Sequence, residues 1–568
     1  MSVYLNKKRI GLVPSKIALL GAMSVGAMAF APVVSAQVML EEIIVTAQKR
    51  SQNLQDVGVS VTAFSGRQLA ALGITSSQDI TNMTPGVHTV QPNGEANYSL
   101  AIRGAANSDL VANQESPVSV YIDEVYISQG SGTGFMLFDM DRVEVLRGPQ
   151  GTLFGRNATG GLAHFITKRP TEEFEGYGQF TIGQFGQLKT EGAVSGALAD
   201  GVYGRVSVST HQNSGFIENR LSDENLNNAN DFAVRAQLLL TPGDSTTLLF
   251  NVRGAKQDIR TGFFENVYSE VDPNSPQGFG LLLSGQGADA FGYADPDNNT
   301  DVYAGDYDRG GHNKLETLGL SVTFEHDFDN GMSLTSITDY QETKRDYVED
   351  TDAGPNDQFN FWLNTDAAQI SQEIRLSGNT DSLNWVTGIY YLGIDIDDAN
   401  GAEVKFYNDA FGIPFGDNGE IFGIASPYQQ DKNSFSVFAQ VEYEVTDTMT
   451  LIGGVRYIRD KVEHSYVSNY VFYPAAIAAR NEATRTNNNT VYPFQVADFL
   501  LFPDGTPVAG YDATYNKGLW AGRVQLNYTP EDSDSLFYVS YNLGVKGCLL
   551  YPSDAPDNKT RRQPWADA

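Results

Sequence analysis

Cysteine is nearly missing from this chain: Cys548 is the only one in 568 residues, so no internal disulfide framework staples the fold. Long apolar runs are missing too. After residue 36 no segment reaches the ~18 consecutive apolar residues of a membrane-spanning helix. Positive charge is scarce, with 38 Lys and Arg against 69 Asp and Glu, and the net charge of −31 excludes binding to nucleic-acid phosphates. The six histidines (His88, His164, His211, His312, His326 and His464) are scattered, without the spacing of a zinc or haem site, so no metal and no cofactor is expected. Catalytic signatures are equally lacking: no Walker A lysine motif, no Gly-x-Ser-x-Gly elbow between strand and helix, no His-Glu-x-x-His. The chain reads as a non-enzyme.

What is present begins with an export leader. Lys7, Lys8, Arg9 and Lys16 accompany an apolar run of 14 residues from Ile17 to Phe30, and Val34-Ser35-Ala36 has the small-residue pattern of a cleavage site. The run is short for a permanent transmembrane helix, which favours cleavage after Ala36 over a retained anchor. Residues 1–36 are assigned to a signal peptide, and 37–55 to a short segment poor in packing residues apart from Ile43, Ile44 and Val45.

Residues 56–170 read as a compact mixed α/β domain. Val59 to Phe64, Val118 to Ile122 and Arg142 to Leu146 are predicted strands, and Gly66 to Leu72 a helix with Leu69 and Leu72 on one side. After Pro170 two-residue alternation takes over, as in Phe232, Val234, Ala236, Leu238 and Leu240 against Ala233, Arg235, Gln237 and Leu239. Phe435 to Tyr443 and Arg523 to Tyr528 alternate in the same way, each strand with one apolar and one polar face. Six short turns punctuate the region: Ala199-Asp200-Gly201, Pro242-Gly243-Asp244-Ser245, Asp329-Asn330-Gly331, Asn379-Thr380-Asp381, Thr446-Asp447-Thr448 and Pro530-Glu531-Asp532. Long polar excursions, 257–315 and 397–432, lie between them. Short turns on one side and long loops on the other describe a transmembrane antiparallel β-barrel, which evades hydropathy tests because only alternate residues face lipid. A soluble sandwich does not require such asymmetry, and no fixed-period repeat supports a solenoid. Tyr390, Tyr391, Tyr538 and Tyr541 suit interfacial girdles. The acidic stretches Asp295 to Asp308 and Glu349 to Asp357 read as solvated loops. The first partly mimics a calcium loop but lacks its glycine at the sixth position.

Arg147 to Lys168 is the most informative stretch. Five glycines (Gly148, Gly151, Gly155, Gly160, Gly161) and Pro149 sit between two β runs, marking tight turns where backbone passes close to backbone. With Glu42-Ile43-Ile44-Val45-Thr46-Ala47 near the start, this stretch resembles the plug domain of a TonB-dependent outer-membrane receptor. Asn53-Leu54-Gln55-Asp56-Val57, Ala101-Ile102-Arg103-Gly104, Tyr121-Ile122-Asp123 and Asp139 to Pro149, including Glu144, match the family's run in order and approximate spacing. Two positions depart from it: Glu124 stands where the family has glycine, and His164 where it has asparagine. The resemblance implies that Glu42 to Ala47 is the TonB box, an extended segment with little to pack against, able to add as an edge strand to a partner's sheet. It implies that Arg103 and Arg147 pair with barrel-wall carboxylates; capping of local plug turns is the alternative. The polar loop Asn107 to Ser116 is the candidate ligand contact at the plug apex. The Gly130 to Gly134 run is a plug loop.

The six turns imply about twelve strands, against 22 in plugged transporters of this type. Residues 171–547 are therefore expected to form a partial barrel, and 548–568 a foreign, disordered or out-of-frame tail, since family texture stops near Gly547. Such an open sheet is not expected to insert stably in a bilayer. The implied function is energy-coupled import of a scarce solute, foremost a ferric siderophore, across the outer membrane of a Gram-negative bacterium. TonB-dependent uptake of carbohydrate, vitamin B12 or haem is the alternative, nickel complexes being a further family ligand, and a passive porin ranks below it. Implied partners are TonB with its ExbB/ExbD-type inner-membrane complex, the extracellular ligand and outer-membrane lipid. The receptor is expected to be a monomer.

Overall fold

Ser65 starts the first helix for a local reason. Its hydroxyl accepts from the amide of Gln68, whose side chain in turn accepts from the Ser65 amide, a reciprocal cap that leaves two fewer orphan donors. The helix spans Gly66–Leu72 and ends at Gly73, whose φ of +69° stops it in the left-handed region. Leu69 is buried, but Leu72 is 48% exposed, so the predicted two-leucine face reduces to Leu69. The computed structural model describes residues 43–547 apart from 92–97, 110, 263, 265–268, 272–280, 284–292, 294, 298–299, 406–420, 468, 474–510 and 532–534. Glu42, the leader and the tail after Gly547 lie outside the described residues.

A five-stranded sheet organises the N-terminal domain, in the order Val61–Ser65, Met140–Arg147, Gly161–Thr167, Val118–Ile122, Val125–Ile127. Gly161–Thr167 and Val118–Ile122 run parallel and the other pairs antiparallel. Both faces are covered, so the strands read as nearly continuous apolar runs. Val143, Val145, Ala163 and Phe165 pack on one face with Leu69, Ile80 and Ile102, while Leu146 and Leu162 face Tyr121 and Phe154 on the other. Gly161 has a φ of +146°, and a Cβ there would stand 2.2 Å from the Leu146 carbonyl oxygen, so the expected close backbone passage is real.

Most of the rest is one antiparallel sheet, beside small two-stranded pairs such as the parallel Glu218–Asn219 with Ala304–Gly305. Its strands are Glu175–Ile182, Leu188–Ala199, Val202–Asn213, Ala229–Leu240, Thr246–Ile259, His312–Asp327, Met332–Asp350, Phe359–Asn379, Leu383–Val404, Ile421–Thr446, Met449–Tyr466, Tyr511–Tyr528 and Phe537–Leu543, each paired with the next. Asn469–Tyr473 pairs beside Ile421–Thr446. Each of the six short turns falls between two consecutive strands that pair antiparallel. Counting turns alone missed Glu175–Ile182, which is reached through residues 183–187 on the long-loop side. The excursion 397–432 is also shorter than the sequence suggests, because strand pairing runs on to Glu403 and resumes at Gly423. Among the described residues the first and last strands of this path pair on one side only.

The sheet is inside out. Phe232, Phe435, Val437, Val441 and Tyr443 are exposed on the outer face, while Arg235, Gln237, Ser434, Ser436, Gln440 and Glu442 are buried on the inner one. That is the pattern of a wall with lipid outside and a filled polar lumen. Tyr391 and Tyr541 point outward as expected, but Tyr390 turns inward, its ring 5.5 Å from the Arg456 guanidinium, and Tyr538, opposite Asn527 and three positions from Tyr541, falls on the inner face. Truncating Phe165 tests the plug core. Phe165→Ala should cost about 3–5 kcal/mol, measured as faster amide exchange across the Gly161–Thr167 strand.

Candidate functional site

Where the N-terminal domain meets the wall, charge meets charge. Arg205 from the wall donates to both oxygens of Asp139 at 2.7 and 2.5 Å. Arg156 from the plug donates to Asp460 of the wall at 3.1 Å and to Glu115 of its own domain. Lys432 closes that cluster, donating to Glu115 at 3.4 Å and to the Asn113 carbonyl at 3.0 Å. Arg375 donates to Glu124 at 2.9 Å, and Gln341 and Gln369 reach the Tyr126 carbonyl at 3.0 and 2.7 Å. The wall supplies these groups from every second position, the inward set of each strand. Bidentate and clustered pairs of this kind are needed because a lone buried charge is costly.

Burial alone would raise the Glu115 carboxyl, but Arg156 and Lys432 overcome it and hold the group down at about 2. Glu124 is likewise held well below the usual carboxylate range, burial being outweighed by Arg375 and Lys49. Glu144 goes the other way, raised by burial despite Arg142. Burial pushes His164 down to about 3, so it is neutral and its Nε2 accepts from the Glu124 amide at 3.0 Å.

The box segment is packed, contrary to the expectation of a segment with little to contact. Ile44 and Val45 pair with Asn53 and Gln52 in a two-stranded ribbon, and Val45 is 0% exposed. Thr46 donates from its amide and hydroxyl to Glu144 at 2.8 and 3.1 Å, and Ala47 is buried. Gln48 accepts from Gln440 at 3.0 Å, and Arg50 pairs with Glu442. On the same wall strand, Lys432 holds Asn113 and the Tyr428 hydroxyl accepts from the Asn113 amide at 3.1 Å. At ~3.4 Å per residue, the contacts of Gln48 and Arg50, just after the box, and those of Asn113 therefore lie ~27–48 Å apart along one strand, the former toward its short-turn end. Asn107, Asp109, Val111, Ala112, Gln114 and Ser116 of the Asn107 to Ser116 loop border a cavity of about 50 Å³ with Tyr98, Gln129 and Arg345.

Arg103 and Arg147 do not meet wall carboxylates among the described residues. Arg147 donates to the Pro85 carbonyl at 2.9 Å, the local alternative, and Arg103 sits at a φ of +52° beside Gly104 and Gly148. Asp123 accepts from the Thr167 amide and hydroxyl, both at 2.8 Å, and ties one plug strand's end to another. Pro149 and Gly151 abut Gly544, Gly155 takes a φ of +81° against the Arg456 guanidinium, and Gly160 lies against Ala105. Gly130–Thr133 forms a single 3₁₀ turn. The acidic loops are less solvated than expected: Asp295, Asp306, Glu349 and Asp350 are buried. In the calcium-like stretch Arg220 takes the cation's place, donating to Asp295 and, at 2.8 Å each, to Asp297 and Asp306. The groups that sequence reasoning passed over are Lys49, Arg50 and Arg156. A basic pair directly after the box, in so acidic a chain, was the available signal.

Sequence comparison agrees with this geometry. Residues 53–162 match the TonB-dependent receptor plug domain, and residues 250–559 match the TonB-dependent receptor-like β-barrel, running past Gly547. The pesticin receptor of Yersinia pestis is 31% identical over 29% of this chain and 24% of its own length. The ferric-pyoverdine 358 receptor of Pseudomonas putida is 27% identical over 30% of this chain and 21% of its own. The ferric yersiniabactin uptake receptor of Yersinia pestis superposes with a TM-score of 0.62 at 19% identity, covering 84% of this chain and 62% of that one. The chain thus spans less than two thirds of the length of each of these three proteins.

Acid should undo the docking on a set schedule. A carboxylate lowered to about 2 in the fold from an ordinary 4.5 stabilises fully above 4.5 and loses that contribution as pH falls toward 2. Plug protection in hydrogen exchange should be steady from neutrality to about pH 5. Glu115→Gln, which takes from buried Lys432 its carboxylate and leaves Arg156 with Asp460 alone, should weaken it at neutral pH by about 3 kcal/mol. Since a single family model covers more than half of its residues, this chain belongs to the TonB-dependent receptors, β-barrel proteins of the Gram-negative outer membrane.

Proposed function

We propose that this chain carries the plug and part of the barrel of a receptor that imports a ferric siderophore with energy drawn from TonB. The observation that carries the reading is the sealed box. A segment able to add to a partner's sheet lies at the short-turn end, paired and with Val45 and Ala47 buried, while a polar loop faces the other end of the same pore. A passive pore has no use for such a handle. The ligand class is supported by the relatives, which are receptors for ferric pyoverdine and for pesticin and, by fold, for ferric yersiniabactin.

The ligand is bound at the plug apex and the long loops, TonB takes the segment Glu42 to Ala47 from the periplasm, and the pull rearranges the plug. Ion pairs suit this task because water entering the interface can replace each of them in turn. The ExbB/ExbD-type complex would supply the force.

Removing the box tests the reading. Deleting residues 41–48 from the receptor in its own bacterium should abolish uptake of radiolabelled ferric siderophore under iron limitation while leaving surface binding unchanged. Uptake that continues without the box would identify a passive pore.

A further inference from the structure

The two residues that break the family pattern touch each other and face the box segment. The Glu124 amide donates to His164 Nε2 at 3.0 Å, and Glu124 sits at a φ of +68°, backbone that glycine adopts without strain. What the glutamate adds is a carboxylate. It accepts from Arg375 and, at 3.3 Å, from Lys49, the third residue after Thr46. Lys49 also donates to Glu373 of the wall at 3.3 Å. Its side chain is 1% exposed, and its ammonium lies 5.0 Å from the centre of the Phe154 ring and 5.8 Å from that of Tyr121.

We propose that Lys49 is a positioning residue that pins the box in its sealed place by holding Glu124 of the plug and Glu373 of the wall at once. The inference rests on the import reading above and adds to it the residue that sets how readily the box is released. The four groups, two acids and two bases, are neutral together only while Lys49 stays in place. A pull on Thr46 passes through Ala47 and Gln48 and arrives at Lys49, the first residue of the segment tied to both bodies. Arg375 donates to both Glu124 and Glu373, so plug and wall stay bridged when Lys49 leaves. The segment can therefore come free without undocking the plug.

A thiol at position 45 reads this directly. Val45→Cys in a Cys548→Ser background carries one cysteine, buried while the box is pinned. In the purified full chain in detergent, adding Lys49→Ala should speed maleimide labelling at least about tenfold, as expected when a buried charge contact that closes a local opening is lost. Lys49→Arg should restore slow labelling. Arg169→Ala, which breaks the Arg169–Glu325 pair of the plug with the wall elsewhere, should leave it slow. Where Lys49→Ala does not fold, Lys49→Met keeps the apolar stem and serves the same readout. Labelling no faster without the ammonium, or equally fast in Arg169→Ala, overturns the pin. Failure of the import reading shows elsewhere, as uptake that survives loss of the box.

Discussion

Everything in this molecule depends on matching charge across the plug–wall interface. A lumen lined by inward polar residues cannot be filled by an apolar domain, and the charges the plug carries at that seam cannot be buried without partners. Asp139 with Arg205, Glu115 with Arg156 and Lys432, and Glu124 with Arg375 and Lys49 solve both problems together. Each body supplies acids to some pairs and bases to others, which fixes the plug's orientation. The same contacts keep a gate reversible, since apolar packing of equal area would hold the plug without offering water a way in.

The wall obeys the complementary rule. Strand pairing satisfies its backbone, and alternation sends Phe232, Val437 and Val441 outward while Arg235 and Gln440 turn in. With the plug in place Arg235 reaches the Phe138 carbonyl at 3.5 Å and Gln440 donates to Gln48 at 3.0 Å as well as to Glu442 of its own strand. The two domains are thus halves of one hydrogen-bonding account.

How far could the sequence be read? Local chemistry was legible: the Gly66–Leu72 helix, the Val118–Ile122 strand and all six short turns, because period and turn residues are local signals. Pairing across long separations was not. Lys49 and Glu373 lie 324 residues apart, and no periodicity joins them. The same blindness explains Asp295, Asp297 and Asp306, read as a solvated or calcium-like loop because Arg220 comes from a distant segment. The strand Glu175–Ile182 escaped because no short turn announces it, and Tyr390 was assigned outward because alternation gives two faces without saying which one meets the lumen. The box segment's burial was invisible for a related reason: its partners, Gln52 and Glu144, carry no apolar signal.

The central claim is that the plug lies inside the wall, and one cross-link tests it. A Cβ at Gly151 would stand 3.2 Å from the Ala521 Cβ, close to the spacing of a disulfide. Gly151→Cys with Ala521→Cys, in a Cys548→Ser background, should oxidise to an intramolecular disulfide in the folded protein and resist maleimide until reduced. Two thiols that stay free and label at once would place the plug elsewhere and contradict the account.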